Sequence, residues 1–287
     1  MGAFSGTRMP RSALGFTLVE MVTVILILGI LVVGVSSFII FGTRIFVESS
    51  SVDQALSQSR FAVERMTRDL RSAVPNSVRL NGNGLTYQCV EFVPIEASTT
   101  YLSMPIAPSA AALTGTVILN ATDNFKDNQY IWIYPLADSD VYNSARQKRA
   151  QIKTFTPLGE PPNPANQVTL TFMASTRFAE ASPRQRIYLG SSPVSYCFEK
   201  APSSNELTLK RYTGYGLNAS QPTPADMSSG VLMAQDVAND LSNNADLPLI
   251  LTPSSLVNNA MVHLQPRFNV NGETFQYRHQ VQVINVP

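Results

Sequence analysis

The sequence predicts an α+β protein: a long N-terminal helix, half membrane-spanning and half amphipathic, packed on a β-rich antiparallel globular head. Three observations carry this. No side chain from Met21 to Thr43 is ionisable. An apolar stripe at helical spacing follows from Val52 to Ala73. From Asn81 onward the pattern turns towards alternation, and it closes on Asn271-Gly272 between two alternating runs. The chain divides accordingly into a leader (1–15), an apolar helix (16–43), its amphipathic continuation (44–74) and a head (75–287).

The leader carries Arg8 and Arg11, and no acid precedes Glu20. Positive charge ahead of an apolar run keeps that end cytoplasmic, so the head is expected on the far side of the membrane. At about 1.5 Å per residue the run from Met21 to Thr43 covers roughly 30–35 Å, enough for a bilayer core of about 30 Å. It is longer than the roughly 7–15 residues of a cleaved secretory signal. Gly34, Ser36 and Ser37 are the positions where this helix is softest, since no proline lies inside it.

Glu20 is the anomaly. A carboxylate costs about 2.5–3.5 kcal/mol at the centre of a bilayer and less near its surface. The helix dipole favours an acid in the first turn, which is one reading. The other needs a positive partner. Were the chain cut after Gly15, Phe16 would carry a free amine, and that amine on one subunit would neutralise Glu20 on the next.

Beyond Arg44 the stripe of Val52, Leu56, Ser59, Val63, Met66, Leu70 and Ala73 forms one helical face. Arg60 with Glu64, Glu64 with Arg68, and Arg65 with Asp69 are spaced to pair at i,i+4. Pro75 is expected to end the helix.

In the head, Asn81-Gly82-Asn83-Gly84 reads as a turn before a strand over Leu85–Val93. Further strands are expected at Thr116–Leu119, Tyr130–Tyr134, Gln151–Thr156, Val168–Met173, Arg186–Leu189, Val194–Glu199 and Glu206–Tyr212. The terminal hairpin, Met261–Val270 and Glu273–Val286 around Asn271-Gly272, is the clearest. Val231–Leu241 reads equally as a short helix or as irregular chain. Pro157–Asn166 and Ala219–Ser229 read as surface loops. The head is long enough for one β-rich domain or two small lobes. A disulfide between Cys89 and Cys197 is expected in an oxidising compartment, because no CxxC or Cys/His spacing points to metal or redox chemistry.

Gly15-Phe16-Thr17-Leu18-Val19-Glu20 resembles the cleavage motif of type IV prepilins and type II secretion pseudopilins. The resemblance implies that a prepilin peptidase cuts between Gly15 and Phe16, that Phe16 is N-methylated, and that Glu20 acts in filament assembly. It implies a single-pass inner-membrane protein with a periplasmic head, later part of a pilus at the cell surface. Its partners would be other minor and major pilins and the inner-membrane assembly platform. Gln58–Met66, Asp69–Ser77 and the tail from Asn271 to Pro287 resemble the large-headed MshO, PilW and GspJ groups, and the tail is most similar to the MshO group of the mannose-sensitive haemagglutinin (MSHA) pilus.

Chemistry beyond this is sparse. There is no GxSxG, HExxH or phosphate-binding glycine loop, and the two histidines, His263 and His279, lie in the terminal hairpin. No enzyme activity and no cofactor are expected. Calcium is weighed at Asp123 with Asp127, Asp138 with Asp140, and Asp236, Asp240 and Asp246. Their spacing suits Asx turns better than a site needing six to eight oxygens. Arg146-Gln147-Lys148-Arg149 reads as a solvated basic loop without an adjoining aromatic platform, so nucleic acid is not an expected partner. A secretion pseudopilin and an adhesive or DNA-binding tip head remain the alternatives.

Overall fold

The computed structural model describes residues 15–118, 125–157, 166–200, 206–254 and 258–283. The chain forms two compact units that meet between Asp53 and Gln54. Helix α1 (Leu18–Arg71) is continuous through that boundary.

In the first unit every described residue from Gly15 to Ser51 is exposed. The exposed side chains include Leu18, Ile25, Ile30, Phe38 and Phe41. A helix this long and apolar meets the length and composition required to cross a bilayer.

The second unit opens with the C-terminal part of α1 and continues as strands. These are β1 (Arg79–Gly82), β2 (Tyr87–Phe92), β3 (Ala97–Ser103), β4 (Ala112–Ile118) and β5 (Tyr130–Ile133). A short helix α2 (Asp138–Tyr142) precedes β6 (Arg149–Pro157), β7 (Gln167–Thr176), β8 (Arg186–Gly190), β9 (Val194–Lys200) and β10 (Leu207–Thr213). Then come β11 (Val231–Val237), β12 (Leu249–Thr252), β13 (Ala260–Leu264), β14 (Arg267–Val270), β15 (Glu273–Gln276) and β16 (His279–Val283). All pairings between named strands are antiparallel.

The strands make two lobes. One is a seven-stranded sheet, β1-β2-β9-β10-β11-β14-β15, beside the three-stranded sheet β12-β13-β16. Val63, Met66 and Leu70 of α1 share one core with Val90 and Phe92, Tyr196 and Phe198, and Val262 and Val281. The other lobe is a closed barrel, β3-β4-β7-β6-β5-β8, filled by residues such as Ile131, Ile152, Leu170, Phe172 and Leu189. A smaller cluster of Val74, Val93, Trp132, Val141, Tyr142 and Tyr188 joins segments of both lobes, and the Trp132 indole donates to the Val141 carbonyl at 3.1 Å.

Most expected strands are present; the departures have physical causes. The turn expected at Asn81–Gly84 starts two residues later. Asn81 and Gly82 are the end of β1, and the Asn83 carboxamide oxygen accepts from the amides of Leu85, Thr86 and Tyr87 at 2.7–3.2 Å. Val231–Val237 is a strand, not a short helix or irregular chain, paired to β10 with irregular register.

The terminal hairpin keeps its Asn271-Gly272 turn, with φ of 53° and 88°, both positive as a two-residue type I′ link requires. Each long arm is broken, however. β14 and β15 flank the turn and join the large sheet, whereas β13 and β16 pair with each other in the small one. The first break falls at Gln265-Pro266, where proline has no amide to donate to a ladder.

The i,i+4 ion pairs expected on α1 do not close among the described residues. Asp69 turns to the sheet instead, accepting from the Tyr196 hydroxyl at 2.8 Å and from Arg211 Nε at 3.2 Å.

Candidate functional site

The segment that carries the sequence-predicted processing residues is built by local capping. Gly15, Phe16 and Thr17 precede α1, and all three are exposed. Thr17 starts the helix: its carbonyl accepts from the amides of Glu20 and Met21 at 3.1 and 3.2 Å, and its hydroxyl accepts from the Glu20 amide at 3.3 Å. Thr17-Leu18-Val19-Glu20 thus has the S/T-x-x-E spacing of a capping box, with Glu20 at its fourth position. That signal was legible in the sequence, and it explains how a threonine fixes the helix start just beyond the Gly15–Phe16 bond. Glu20 lies in the first turn, where the helix dipole favours a negative charge. Its carbonyl in turn accepts from the Thr23 hydroxyl at 2.9 Å.

Chemically, the arrangement offers an exposed peptide bond ahead of a capped helix, then one carboxylate on an otherwise apolar surface. Phe16 is 77% exposed. Arg8 and Arg11 of the leader lie outside the described residues.

In the head, Cys89 and Cys197 are joined, facing one another across β2 and β9. They cluster with Tyr212 and Met227 on the sheet face opposite the α1 core. The bridge closes a sequence separation of 108 residues.

Four of the weighed calcium carboxylates, Asp138, Asp140, Asp240 and Asp246, have protein donors. Asp140 accepts from Arg146 Nε and the Leu136 amide, both at 3.0 Å. Asp138 accepts from the Ser139 amide at 2.7 Å. Asp246 accepts from Arg267 and the Asp240 amide, each at 2.8 Å, and Asp240 accepts from Ser242. Desolvation, with Glu206 nearby, raises the Asp236 carboxyl above its ordinary range. Asp123 lies outside the described residues. Among the described residues no three His, Cys, Asp or Glu side chains converge as metal ligands do.

The basic run at Arg146–Arg149 is only in its first half the solvated loop expected: Arg146 and Gln147 are exposed, but Lys148 and Arg149 turn inward. Lys148 is buried and paired with Glu180, and its ammonium lies 5.1 Å from the Tyr134 ring centre. Arg149 lies over Tyr130 and donates to the Val141 carbonyl, and Arg146 binds Asp140. Two aromatic rings therefore adjoin the second half of the run and hold Lys148 and Arg149. The correction follows from β6 beginning at Arg149, which draws the run into the barrel. His263 sits on β13, its Nε2 3.1 Å from the Thr252 hydroxyl, and His279 opens β16.

Sequence reading missed a buried ion pair. Arg79 and Glu91 stand directly opposite on β1 and β2, and Arg79 stacks 3.6 Å from the Tyr142 ring centre. The same guanidinium donates to the Ala219 and Asn218 carbonyls at 2.7 and 2.9 Å, pinning the 219–229 loop. Burial pushes the Glu91 carboxyl up, against the pull of Arg79. A turn expected at Asn81–Gly84 leaves no strand assigned at Arg79, so the sequence pattern gives that residue no partner across a ladder.

Residues 10–36 match the family model described as the prokaryotic N-terminal methylation motif. No curated protein and no solved structure matches the chain. The match covers the capped start of α1 and most of its apolar part: the chain carries a type IV pilin-like prepilin signal, the mark of a pilin-like or pseudopilin protein that a prepilin peptidase processes and that associates with a membrane.

Proposed function

We propose that the protein is a minor type IV pilin of the MshO-like group, without enzyme activity, acting in pilus initiation or as a tip subunit. A prepilin peptidase cuts between Gly15 and Phe16, and Phe16 is then N-methylated. The apolar helix holds the subunit in the inner membrane, N-terminus cytoplasmic and head periplasmic, until other minor and major pilins and the assembly platform extract it by lateral helix packing. Glu20 on one subunit neutralises the Phe16 amine of another. One observation carries this reading: the methylation motif coincides with a capped, fully exposed apolar helix whose only acid before Glu48 is Glu20. The disulfide and the packed two-lobed head suit a translocated domain.

The test is Glu20→Ala in the native host. The variant should be cleaved and methylated normally, as judged by mass spectrometry of the mature N-terminus. Its recovery in sheared filaments should fall roughly tenfold or more, because truncating one side of a desolvated charge pair leaves the other unpaired. Wild-type recovery would remove Glu20 from assembly. A GspJ-like role in type II secretion rests on the same motif, and gene deletion separates the two: loss of surface pili supports the first, loss of exoprotein release the second.

A further inference from the structure

A groove of about 590 Å³ runs between the last turns of α1 and the corner from Tyr277 to His279. Arg60, Arg68 and Arg71 line it from the helix, and Arg278 from the corner, against the single acid Glu64. All four arginines are exposed, and none has an ion-pair partner among the described residues. Elsewhere in the head Arg79, Arg146, Arg211 and Arg267 each hold a carboxylate, whereas Arg177, Arg184 and Arg186 are exposed and have no ion-pair partner among the described residues. What sets the groove apart is that four such arginines line one cavity. Thr67 forms part of the wall. It is 8% exposed, and its hydroxyl has no hydrogen-bond partner. That oxygen is itself closed off from solvent, so the wall Thr67 offers the groove is its apolar part.

We propose that this groove receives an acidic segment of a partner protein. Guanidinium forks suit carboxylates, which they bind two-pronged. The volume accommodates several side chains, far more than one inorganic anion needs. Buried Val63 and half-buried Tyr277 add apolar surface, and Glu64 opposes a continuous row of phosphates while accepting from a peptide amide. These features favour a polypeptide over a nucleic-acid strand or a lipid surface. The proposal is independent of processing at Gly15 and of Glu20.

The experiment uses the full chain in neutral detergent micelles. The probe is a fluorescein-labelled peptide of alternating glutamate and serine with one central leucine, followed by fluorescence polarisation. Saturable binding is expected, weakening as salt rises. Arg68→Gln with Arg278→Gln should weaken it at least about tenfold, as loss of two charge-assisted contacts does. Arg68→Glu with Arg278→Glu should abolish it and create binding of the lysine counterpart peptide, which also shows that this variant is folded. No saturable binding to the unaltered protein, or equal affinity in the glutamine variant, overturns the proposal. So does a preference for phosphatidylglycerol vesicles that the same substitutions abolish, or displacement of the peptide by inorganic phosphate at concentrations comparable to the peptide's own.

Discussion

Residues 18–51 and 54–71 belong to one helix and differ in what each must find outside itself. The first stretch exposes every side chain, Leu, Ile, Val and Phe prominent among them, and has no internal partner for any face. The second is amphipathic: Ser59, Ala62, Val63, Met66, Thr67 and Leu70 are buried, whereas Arg60, Glu64, Arg68 and Arg71 are exposed. Backbone geometry is the same, so side-chain pattern alone assigns one stretch to an apolar medium and the other to a protein core. Head stability should therefore depend on the second stretch and be insensitive to the first. Assembly should show the reverse dependence.

The largest expected effect on the head comes from its covalent link. Replacing Cys89 and Cys197 by alanine frees a separation of 108 residues, and chain entropy sets the loss near about 4–5 kcal/mol. Urea unfolding followed by Trp132 fluorescence measures it. A loss below about 1 kcal/mol would mean that the β2–β9 sheet holds without the bridge. Next comes Leu70→Ala in the second stretch, where a fully buried leucine fills the α1 core. A loss of about 2–5 kcal/mol is expected. Leu28→Ala in the first stretch should leave the same transition unmoved within about 0.5 kcal/mol. Equal losses from Leu70→Ala and Leu28→Ala would dissolve the distinction between the stretches.

Alkali tests the second unit by another route. Burial raises the phenols of Tyr142, Tyr196 and Tyr215 above their ordinary value of 10.0. In the unfolded chain these phenols ionise near 10.0, while the folded ones stay protonated. A raised folded pKa contributes stability that is present below the unfolded value and lost as pH rises above it. Stability should thus be flat from neutrality to about pH 9.5 and then fall. Phenolate absorbance should appear together with unfolding, and titration of all tyrosines before any loss of near-ultraviolet dichroism would contradict the burial.

How much of this was legible in the sequence depended on the range of the signal. The apolar helix and the Asn271-Gly272 turn are short-range patterns, and each is found where it was read. The stripe holds from Val52 to Leu70, but α1 ends at Arg71, short of Pro75, and Ala73 instead bridges to Pro94. β3 was missed because Ala97-Ser-Thr-Thr-Tyr-Leu-Ser103 is mostly small and polar, its register supplied by β4 and β8 of the barrel. The split of the terminal arms was signalled by Pro266 but depends on which sheet each half finds. At the candidate site the residues themselves were readable, including the Thr17–Glu20 cap that was overlooked. Of the groove arginines, Arg60 and Arg68 read from the sequence only as members of helical ion pairs, and Arg71 and Arg278 belong to no such pair. Their common face with Arg278 arises from folding more than 200 residues of chain back onto α1, which no local pattern records.

The smallest effects separate a helix that supports itself from one held by its sheet. Arg65 and Asp69 have the spacing of an i,i+4 pair, yet Asp69 is bound by Tyr196 and Arg211. Asp69→Asn keeps an acceptor for the tyrosine but removes the charge opposite Arg211, so a loss of about 1–1.5 kcal/mol is expected. Arg65→Gln removes a partner that Asp69 does not use, and the change should stay below about 0.3 kcal/mol. A double-mutant cycle between Asp69 and Arg211 should show coupling, and the cycle between Asp69 and Arg65 should show none. Coupling of the second pair, with additivity of the first, would mean that the stem is stabilised along its own surface and not by the sheet beneath it.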